Sequence, residues 1–193
     1  MTLLSRKDLF SLEKYSEVRN EFRAKVMKHK KNRRLAFNDH AVLYFEDGLT
    51  MQYQVQEMLR IERIFDAEGI QQELDVYNTL IPEGSNWKAT FMIEYSNIQQ
   101  RKVALAKLIG VERSIWIKVE ESEKVYAIAN EDMDRETEDK TSAVHFMRFE
   151  LTKDMITNIK VGLPIIFGID HDLYKTDIIV PPKVQRALIV DLN

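Results

Sequence analysis

The hydrophobic positions of the chain repeat with two different periods, and the changes of period divide it into helices and strands. Val18, Phe22 and Val26 recur every fourth residue, which is the spacing of one face of an amphipathic helix. Capping residues, glycine and proline mark the helix ends. Helices are predicted at residues 5–14, 16–31, 51–68, 70–80, 96–108 and 152–161 and after Pro181, with Gly69 as the break between the third and the fourth.

Alternation of apolar and polar residues predicts the strands. The segment 141–151 is the longest candidate, and 114–119 pairs with 124–129 in a predicted hairpin. The irregular order of helices and strands favours an α+β fold over a doubly wound α/β fold. We therefore predict a single domain, residues 1–193, in which a mixed or antiparallel sheet packs against several helices. Its N-terminal part, at about residues 5–34, is a basic helical segment.

The composition suits a globular protein, because 45% of the 193 residues are apolar and 31% are charged. The chain has no cysteine, which excludes disulfides, thiolate metal sites and a cysteine nucleophile. Charged residues follow the N-terminus too early for a signal peptide, and no apolar stretch approaches the ~20 residues of a membrane span. We expect a soluble, cytoplasmic protein that does not enter a membrane.

Charge is unevenly distributed along the chain. Residues 1–40 carry 11 Lys or Arg against 5 Asp or Glu, whereas the remainder carries 17 against 26. The basic residues concentrate in Arg19–Arg34, and an acidic run follows at Glu131–Asp139. Such asymmetry indicates either two solvated faces or a contact with an acidic partner or a second copy of the chain. The predicted partner-contact residues are Lys28, Lys30, Lys31, Arg33 and Arg34.

A nucleic-acid partner for the basic segment is a further alternative, since lysine and arginine contact phosphates. No Phe, Trp or Tyr is interleaved with the basic residues 28–34, and the isoelectric point of the chain is about 5.9. Base stacking would therefore lack its platform, and the sequence favours a protein partner.

Four residues are candidates for chemistry. Glu62 falls within the apolar stripe of the predicted helix 51–68, and a carboxylate aimed into a core needs a partner. His145 lies in the more apolar row of strand 141–151, where a histidine is most often a neutral core residue. Asp170 and His171 stand where a strand meets a loop. If Glu62, His145 and His171 converged, they would form the two-histidine, one-carboxylate ligand set of many non-haem iron sites.

The common catalytic motifs are missing from the sequence. It contains no glycine-rich phosphate loop, nucleophile elbow, paired histidines of a zinc hydrolase or calcium-binding loop. The residues alone thus assign no reaction and no cofactor, and they leave open whether the protein is an enzyme.

Several segments of the sequence resemble one family. They are 53–60 (YQVQEMLR), 73–78 (ELDVYN), 80–82 (LIP), 140–146 (KTSAVHF) and 168–171 (GIDH). Together and in order, they are similar to a bacterial family known only as domain of unknown function thirty-five-oh-one. The resemblance covers nearly the whole chain.

The resemblance implies a context rather than a chemistry. Members of this family are often encoded beside rubrerythrin and a cysteine-rich Fe–S oxidoreductase, and no catalytic residues are assigned to them. The leading hypothesis is therefore an accessory or interaction module of an iron-dependent redox or peroxide-handling system, with those two proteins as possible partners. The alternatives are a small metal-binding protein or enzyme that uses His145, His171 and Glu62, and a nucleic-acid-binding protein.

Overall fold

The computed structural model describes residues 3–131, 135, 137 and 139–193. Its first long helix, α1 (Leu12–Lys30), begins at Ser11, whose hydroxyl accepts a hydrogen bond from the Lys14 N–H. The two helices predicted for this region are therefore one. The Ser5–Asp8 capping pair does form, but it closes only a single 3-10 turn at Arg6–Asp8.

Helix α2 (Gly48–Glu62) and helix α3 (Ala67–Asn78) follow each other through a sharp turn. The turn is made by Arg63, which has a positive φ of 56° and ends α2. The predicted break at Gly69 is wrong: Gly69 lies inside α3, and its N–H binds the side chain of Asp66 at the start of that helix. A left-handed residue that is not glycine carries no strong sequence signal, so the pattern misplaced the break.

The other helices lie close to their predicted positions. They are α4 (Ile98–Lys107), α5 (Lys153–Lys160) and α6 (Pro182–Ile189). The strands are β1 (Arg34–Ala36), β2 (Ala41–Phe45), β3 (Asn86–Ile93), β4 (Ile115–Val119), β5 (Val125–Tyr126), β6 (Ile128–Ala129), β7 (Val144–Glu150), β8 (Ile165–His171) and β9 (Tyr174–Ile179).

The described strands form two antiparallel sheets. Sheet A has the order β1-β2-β3-β7-β6 and sheet B the order β5-β4-β8-β9. This confirms the α+β class and the antiparallel pairing, with two sheets rather than one. The predicted hairpin holds for β4 and β5, where Trp116 faces Tyr126. The chain then crosses to the other sheet, because β6 pairs with β7.

The two sheets share one core. Phe45 and Phe149 of sheet A each place their ring edge-on to Phe167 of sheet B, with centroids 5.3 and 5.1 Å apart. Edge-to-face pairs at this distance are favourable beyond the apolar area that they bury. The C-terminal helix closes the core, since the Trp87 indole N–H donates to the carbonyl of Leu188 over 3.0 Å.

The first three helices form a separate layer with smaller apolar clusters. Tyr15, Phe22 and Val26 of α1 pack with Tyr53 of α2, and a second cluster joins α2 to α3. The end of α3 lies against the outer face of sheet A, where the Lys88 ammonium donates to the carbonyl of Thr79 over 2.7 Å. None of the helices in the described residues is both long and apolar enough to cross a membrane.

Candidate functional site

The proposed metal triad does not come together. Glu62 is the exposed last residue of α2, whereas His145 is fully buried in β7 and His171 ends β8. Across residues 3–131, 135, 137 and 139–193, no group of three or more His, Cys, Asp or Glu side chains could hold a metal ion. The helix stripe misplaced Glu62 because α2 ends there and its last turn extends into solvent.

His145 lies in a buried polar cluster. Its Nδ1 is 3.0 Å from the Asn130 amide nitrogen, and its Nε2 is 3.0 Å from both Thr141 Oγ1 and the Ser142 carbonyl. An amide nitrogen only donates, so Nδ1 is the acceptor and Nε2 holds the proton. Glu112 Oε2 lies 4.0 Å from Nε2 on the same side. Both ring nitrogens are thus held in hydrogen bonds, the arrangement expected of a structural core histidine.

Asp170 and His171 also have local partners. The Asp170 carboxylate accepts from Lys124 over 2.7 Å and from the Tyr126 hydroxyl over 2.8 Å, and the hydrogen bond from Lys124 lowers the pKa of Asp170. His171 is 3.0 Å from the Ile109 carbonyl through Nε2 and accepts from the backbone of the following turn through Nδ1. These contacts tie neighbouring segments to the end of β8, an inner strand of sheet B.

The carboxylate of α2 that is engaged is Glu57, which the sequence pattern did not single out. It accepts from the Tyr15 hydroxyl over 2.7 Å and from two nitrogens of Arg19 over 2.8 and 2.7 Å. The hydrogen bonds from Arg19 outweigh burial and lower the pKa of Glu57 to about 2. This cluster fastens α1 to α2, and only their antiparallel packing could have indicated it.

The predicted partner-contact residues divide into two groups. Lys28, Lys31 and Arg34 are exposed and Lys30 is half-buried. Within the part of the chain that the structure describes, none of these four cations forms an ion pair within 4.0 Å, whereas Arg19 does. The surface made by Lys28, Lys30, Lys31 and Arg34 is called the basic corner below.

Arg33 is the exception, because its side chain is only 2% exposed. Its guanidinium donates to the carbonyls of Phe45 (3.1 Å), Glu46 (3.1 Å) and Ala187 (2.9 Å) and to the carboxylate of Asp191. Consecutive residues of an extended chain point to opposite sides, so Arg34 faces out while Arg33 is buried. The prediction that Arg33 contacts a partner is therefore corrected: it joins the start of β1 to β2 and α6.

The buried ion pair of Arg33 and Asp191 has further neighbours at the start of α2. Asp47 caps that helix, and its Oδ2 lies 2.5 Å from His29 Nε2 and 3.4 Å from Arg33 Nε. Burial tends to raise the pKa of Asp47, but the charge of Arg33 and the hydrogen bonds of the cap more than offset it, so that this pKa is lowered. Burial raises the pKa of Asp191 to about 6, even though Arg33 acts in the opposite direction.

An aromatic ring lies beside the basic corner, although none is interleaved with it in sequence. The Lys30 ammonium and the Arg34 guanidinium each lie 5.8 Å from the centroid of the Tyr44 ring. The Tyr44 hydroxyl donates to Glu94 over 2.9 Å. Sequence reasoning missed Tyr44 because β1 and β2 bring it to Arg34 only through strand pairing.

The predicted acidic contact at Glu131–Asp139 falls largely outside the described residues, which omit 132–134, 136 and 138. Glu131 itself accepts two hydrogen bonds from Arg148, over 2.8 and 2.7 Å. Both residues line a groove of about 690 Å³ between the end of α3 and the outer face of sheet A. Lys88 also lines this groove and is paired with Glu83 over 2.8 Å. Two cations of the groove, Arg148 and Lys88, therefore already have carboxylate partners.

A smaller cavity of about 180 Å³ lies at one end of the sheet sandwich. It is bounded by α4, the start of β2, the end of β3 and the turn between β8 and β9, and is called the end cavity below. His40 stacks on Tyr95 at its rim, with ring centroids 3.9 Å apart and the planes 12° from parallel. The hydroxyl of Tyr174, another lining residue, is buried without a hydrogen-bond partner in the described residues.

These features define an α+β protein of two packed antiparallel sheets with an N-terminal helical layer, a basic corner and an end cavity. The chain belongs to the family described as Protein of unknown function (DUF3501), whose sequence model matches residues 3–192. The expected family resemblance is thereby confirmed.

A solved structure shares the fold over the full length of both chains. It is described as the crystal structure of a novel protein of unknown function from Burkholderia pseudomallei K96243 at 1.90 Å resolution. It is 47% identical to this chain, each chain is covered over 100% of its length, and the TM-score is 0.94. No curated protein matches the chain at a significant level.

Proposed function

We propose that this protein is a cytoplasmic interaction module of an iron-dependent redox or peroxide-handling system, and that it binds an acidic protein surface through the basic corner. The redox context is the one that the family resemblance implies, with rubrerythrin and a cysteine-rich Fe–S oxidoreductase as the first partners to test. The observation that carries the binding function is that Lys28, Lys30, Lys31 and Arg34 form no ion pair with any residue that the structure describes.

The surroundings of the basic corner support this reading. Cations elsewhere, such as Arg19 and Arg148, are held by carboxylates of the same chain, whereas those of the basic corner have no carboxylate partner among the described residues. The buried Arg33 beside them is fixed by three carbonyls and a carboxylate. Because the backbone beneath these charges is already fixed, the ordering cost of binding falls on the four side chains and not on the backbone.

Charge of this kind acts mainly on the rate of association, and salt weakens it. We expect rubrerythrin or the Fe–S oxidoreductase to bind the protein at low salt, with an association rate that falls between about 0.05 and 0.5 M salt. Replacing Lys28, Lys30 and Lys31 together by Glu should slow association at low salt and leave the fold intact. Stopped-flow or surface-based kinetics at several salt concentrations measure both effects.

A matched control makes the same change of net charge with three lysines that lie outside the basic corner. Lys102 of α4 and Lys153 and Lys160 of α5 are exposed lysines, and their joint replacement by Glu should leave the association rate close to that of the wild type. Equal slowing by the two triple variants would show that only net charge matters. The redox assignment fails if neither candidate partner binds.

Nucleic acid is tested in the same series. The position of Tyr44 between Lys30 and Arg34 could offer a base a stacking surface. A single-stranded oligonucleotide is therefore titrated into the wild type and into Tyr44→Leu. The proposal of a protein partner fails, in favour of nucleic acid, if two results are obtained together. The oligonucleotide must bind more tightly than rubrerythrin and the Fe–S oxidoreductase do, and Tyr44→Leu must lose that binding.

A further inference from the structure

The end cavity has the dimensions of a site for one small ring. Its interior wall is apolar, formed by Phe91, Ile93, Ala104 and Val111, and its volume is about 180 Å³. An apolar cavity of roughly 150 Å³ accommodates a benzene ring. The flat face of the stacked His40 and Tyr95 pair at the rim also suits a planar molecule.

Tyr174, which lines the cavity, has a hydroxyl for which the described residues provide no hydrogen-bond partner. The Tyr174 hydroxyl oxygen is buried, and within the described residues it forms no hydrogen bond. Leaving a buried hydroxyl unsatisfied is costly, so such a group in a native fold needs an explanation. Burial, together with neighbouring Tyr95, raises the pKa of Tyr174, which keeps its hydroxyl protonated and able to donate. An occupant with an oxygen acceptor would satisfy it.

The charge at the cavity favours an anion. Lys107, at the end of α4, lines both the end cavity and a shallower groove beside it. It forms no ion pair among residues 3–131, 135, 137 and 139–193. No carboxylate is among the described residues that line the end cavity. Asp39 and Glu94 line an adjoining groove, together with Arg101. A carboxylate could therefore meet the Lys107 ammonium and the Tyr174 hydroxyl.

We propose that the end cavity binds a small organic carboxylate with a flat apolar body of about one ring. The apolar wall would hold the ring, and the Tyr174 hydroxyl would donate to a carboxylate oxygen. Lys107 would supply the opposite charge at the mouth, with the His40–Tyr95 pair covering one side. This site is separate from the basic corner and does not depend on the partner proposed above.

Benzoate is the probe, titrated into the isotope-labelled full chain and followed by ¹H–¹⁵N correlation spectra. We expect saturable shifts at Ala104, Val111 and Tyr174, and weaker binding of benzamide, which has the same shape without the charge. A hydrogen bond to a charged group is worth about tenfold or more in affinity, so Tyr174→Phe should weaken benzoate binding by at least that factor. Lys107→Gln should also weaken it.

The control is Tyr126→Phe, which removes a hydroxyl bound to Asp170 at sheet B and should leave benzoate affinity unchanged. The inference is overturned by the absence of saturable binding, by equal affinity of benzoate and benzamide, or by full affinity in Tyr174→Phe. The melting temperature without ligand gives a second test. Tyr174→Phe should match or exceed the wild type, and a lower value would mean that a bound water already satisfies the hydroxyl, which also overturns the inference.

Discussion

The six-membered ring of the Trp116 indole lies directly over the Cα of Gly168 on the neighbouring strand of sheet B. A Cβ atom added to Gly168 would lie 2.1 Å from Cζ2 and 2.4 Å from Cε2 of that indole. The Lys124 ammonium lies on the same ring system, 4.1 Å from its centroid. The φ angle of Gly168 is not positive, so its backbone conformation does not require glycine. Glycine is required because the Trp116 side chain approaches the backbone closely.

Gly168→Ala is therefore expected to destabilise the protein by about 2 kcal/mol or more, because the added methyl forces Trp116 off the sheet. Denaturant unfolding followed by tryptophan fluorescence measures the change. The control is Gly48→Ala at the start of α2, where an added Cβ would meet nothing within 4 Å. Its free energy of unfolding should stay within ~0.5 kcal/mol of the wild type. Equal effects of the two substitutions would contradict the role of Trp116.

Glu57→Gln should lower stability at neutral pH and have little effect in acid. The pKa of Glu57 in the folded protein is about 2, below its ordinary value of 4.5. A lowered folded-state pKa gives stability that is complete above about pH 4.5 and is lost as the pH falls towards 2. After allowance for solvent screening, we expect a deficit of about 1–2 kcal/mol at pH 7.

Unfolding curves at pH 7, 4 and 2.5 measure this difference between wild type and variant. Glu62→Gln on the same helix is the control, since Glu62 is exposed and outside the Tyr15–Arg19 cluster. Its free energy of unfolding should stay within ~0.5 kcal/mol of the wild type at each pH, since its charge acts only weakly, by repelling Glu73. A Glu57→Gln deficit that persists unchanged at pH 2.5 would contradict the electrostatic origin.

Arg33→Lys is expected to cost about 3 kcal/mol or more, although it keeps the charge. A lysine ammonium cannot reproduce the planar fork by which Arg33 reaches three carbonyls and Asp191, so some of these buried groups lose their partner. The neighbouring Arg34→Lys should be nearly neutral because Arg34 is exposed. Thermal unfolding of both variants compares them, and a neutral Arg33→Lys would show that charge alone suffices at this position.

Signals that act within a few residues allowed much of the fold to be predicted from the sequence. Thr152 caps α5 as predicted, because its hydroxyl accepts from the Met155 N–H three residues further on. The caps predicted at Thr50 and Ser96 lie within three residues of the observed ones, Asp47 and Asn97. Strand alternation placed His145 in the apolar row, and it is fully buried. The α+β class followed from the order of these elements. Each of these features depends on the chain's own neighbours, so it can be recognised without knowledge of the packing.

The tertiary structure alone decided which polar residues meet. Arg19 and Glu57 are 38 residues apart, and Arg33 and Asp191 are 158 apart. The local pattern singled out Glu62 instead of Glu57, and alternation along the strand does not say which of Arg33 and Arg34 faces the core. Packing of α1 on α2, and of α6 on the start of β1, determines which member of each pair is held. The end cavity arises in the same way, from two sheets and a helix whose residues have no sequence relation.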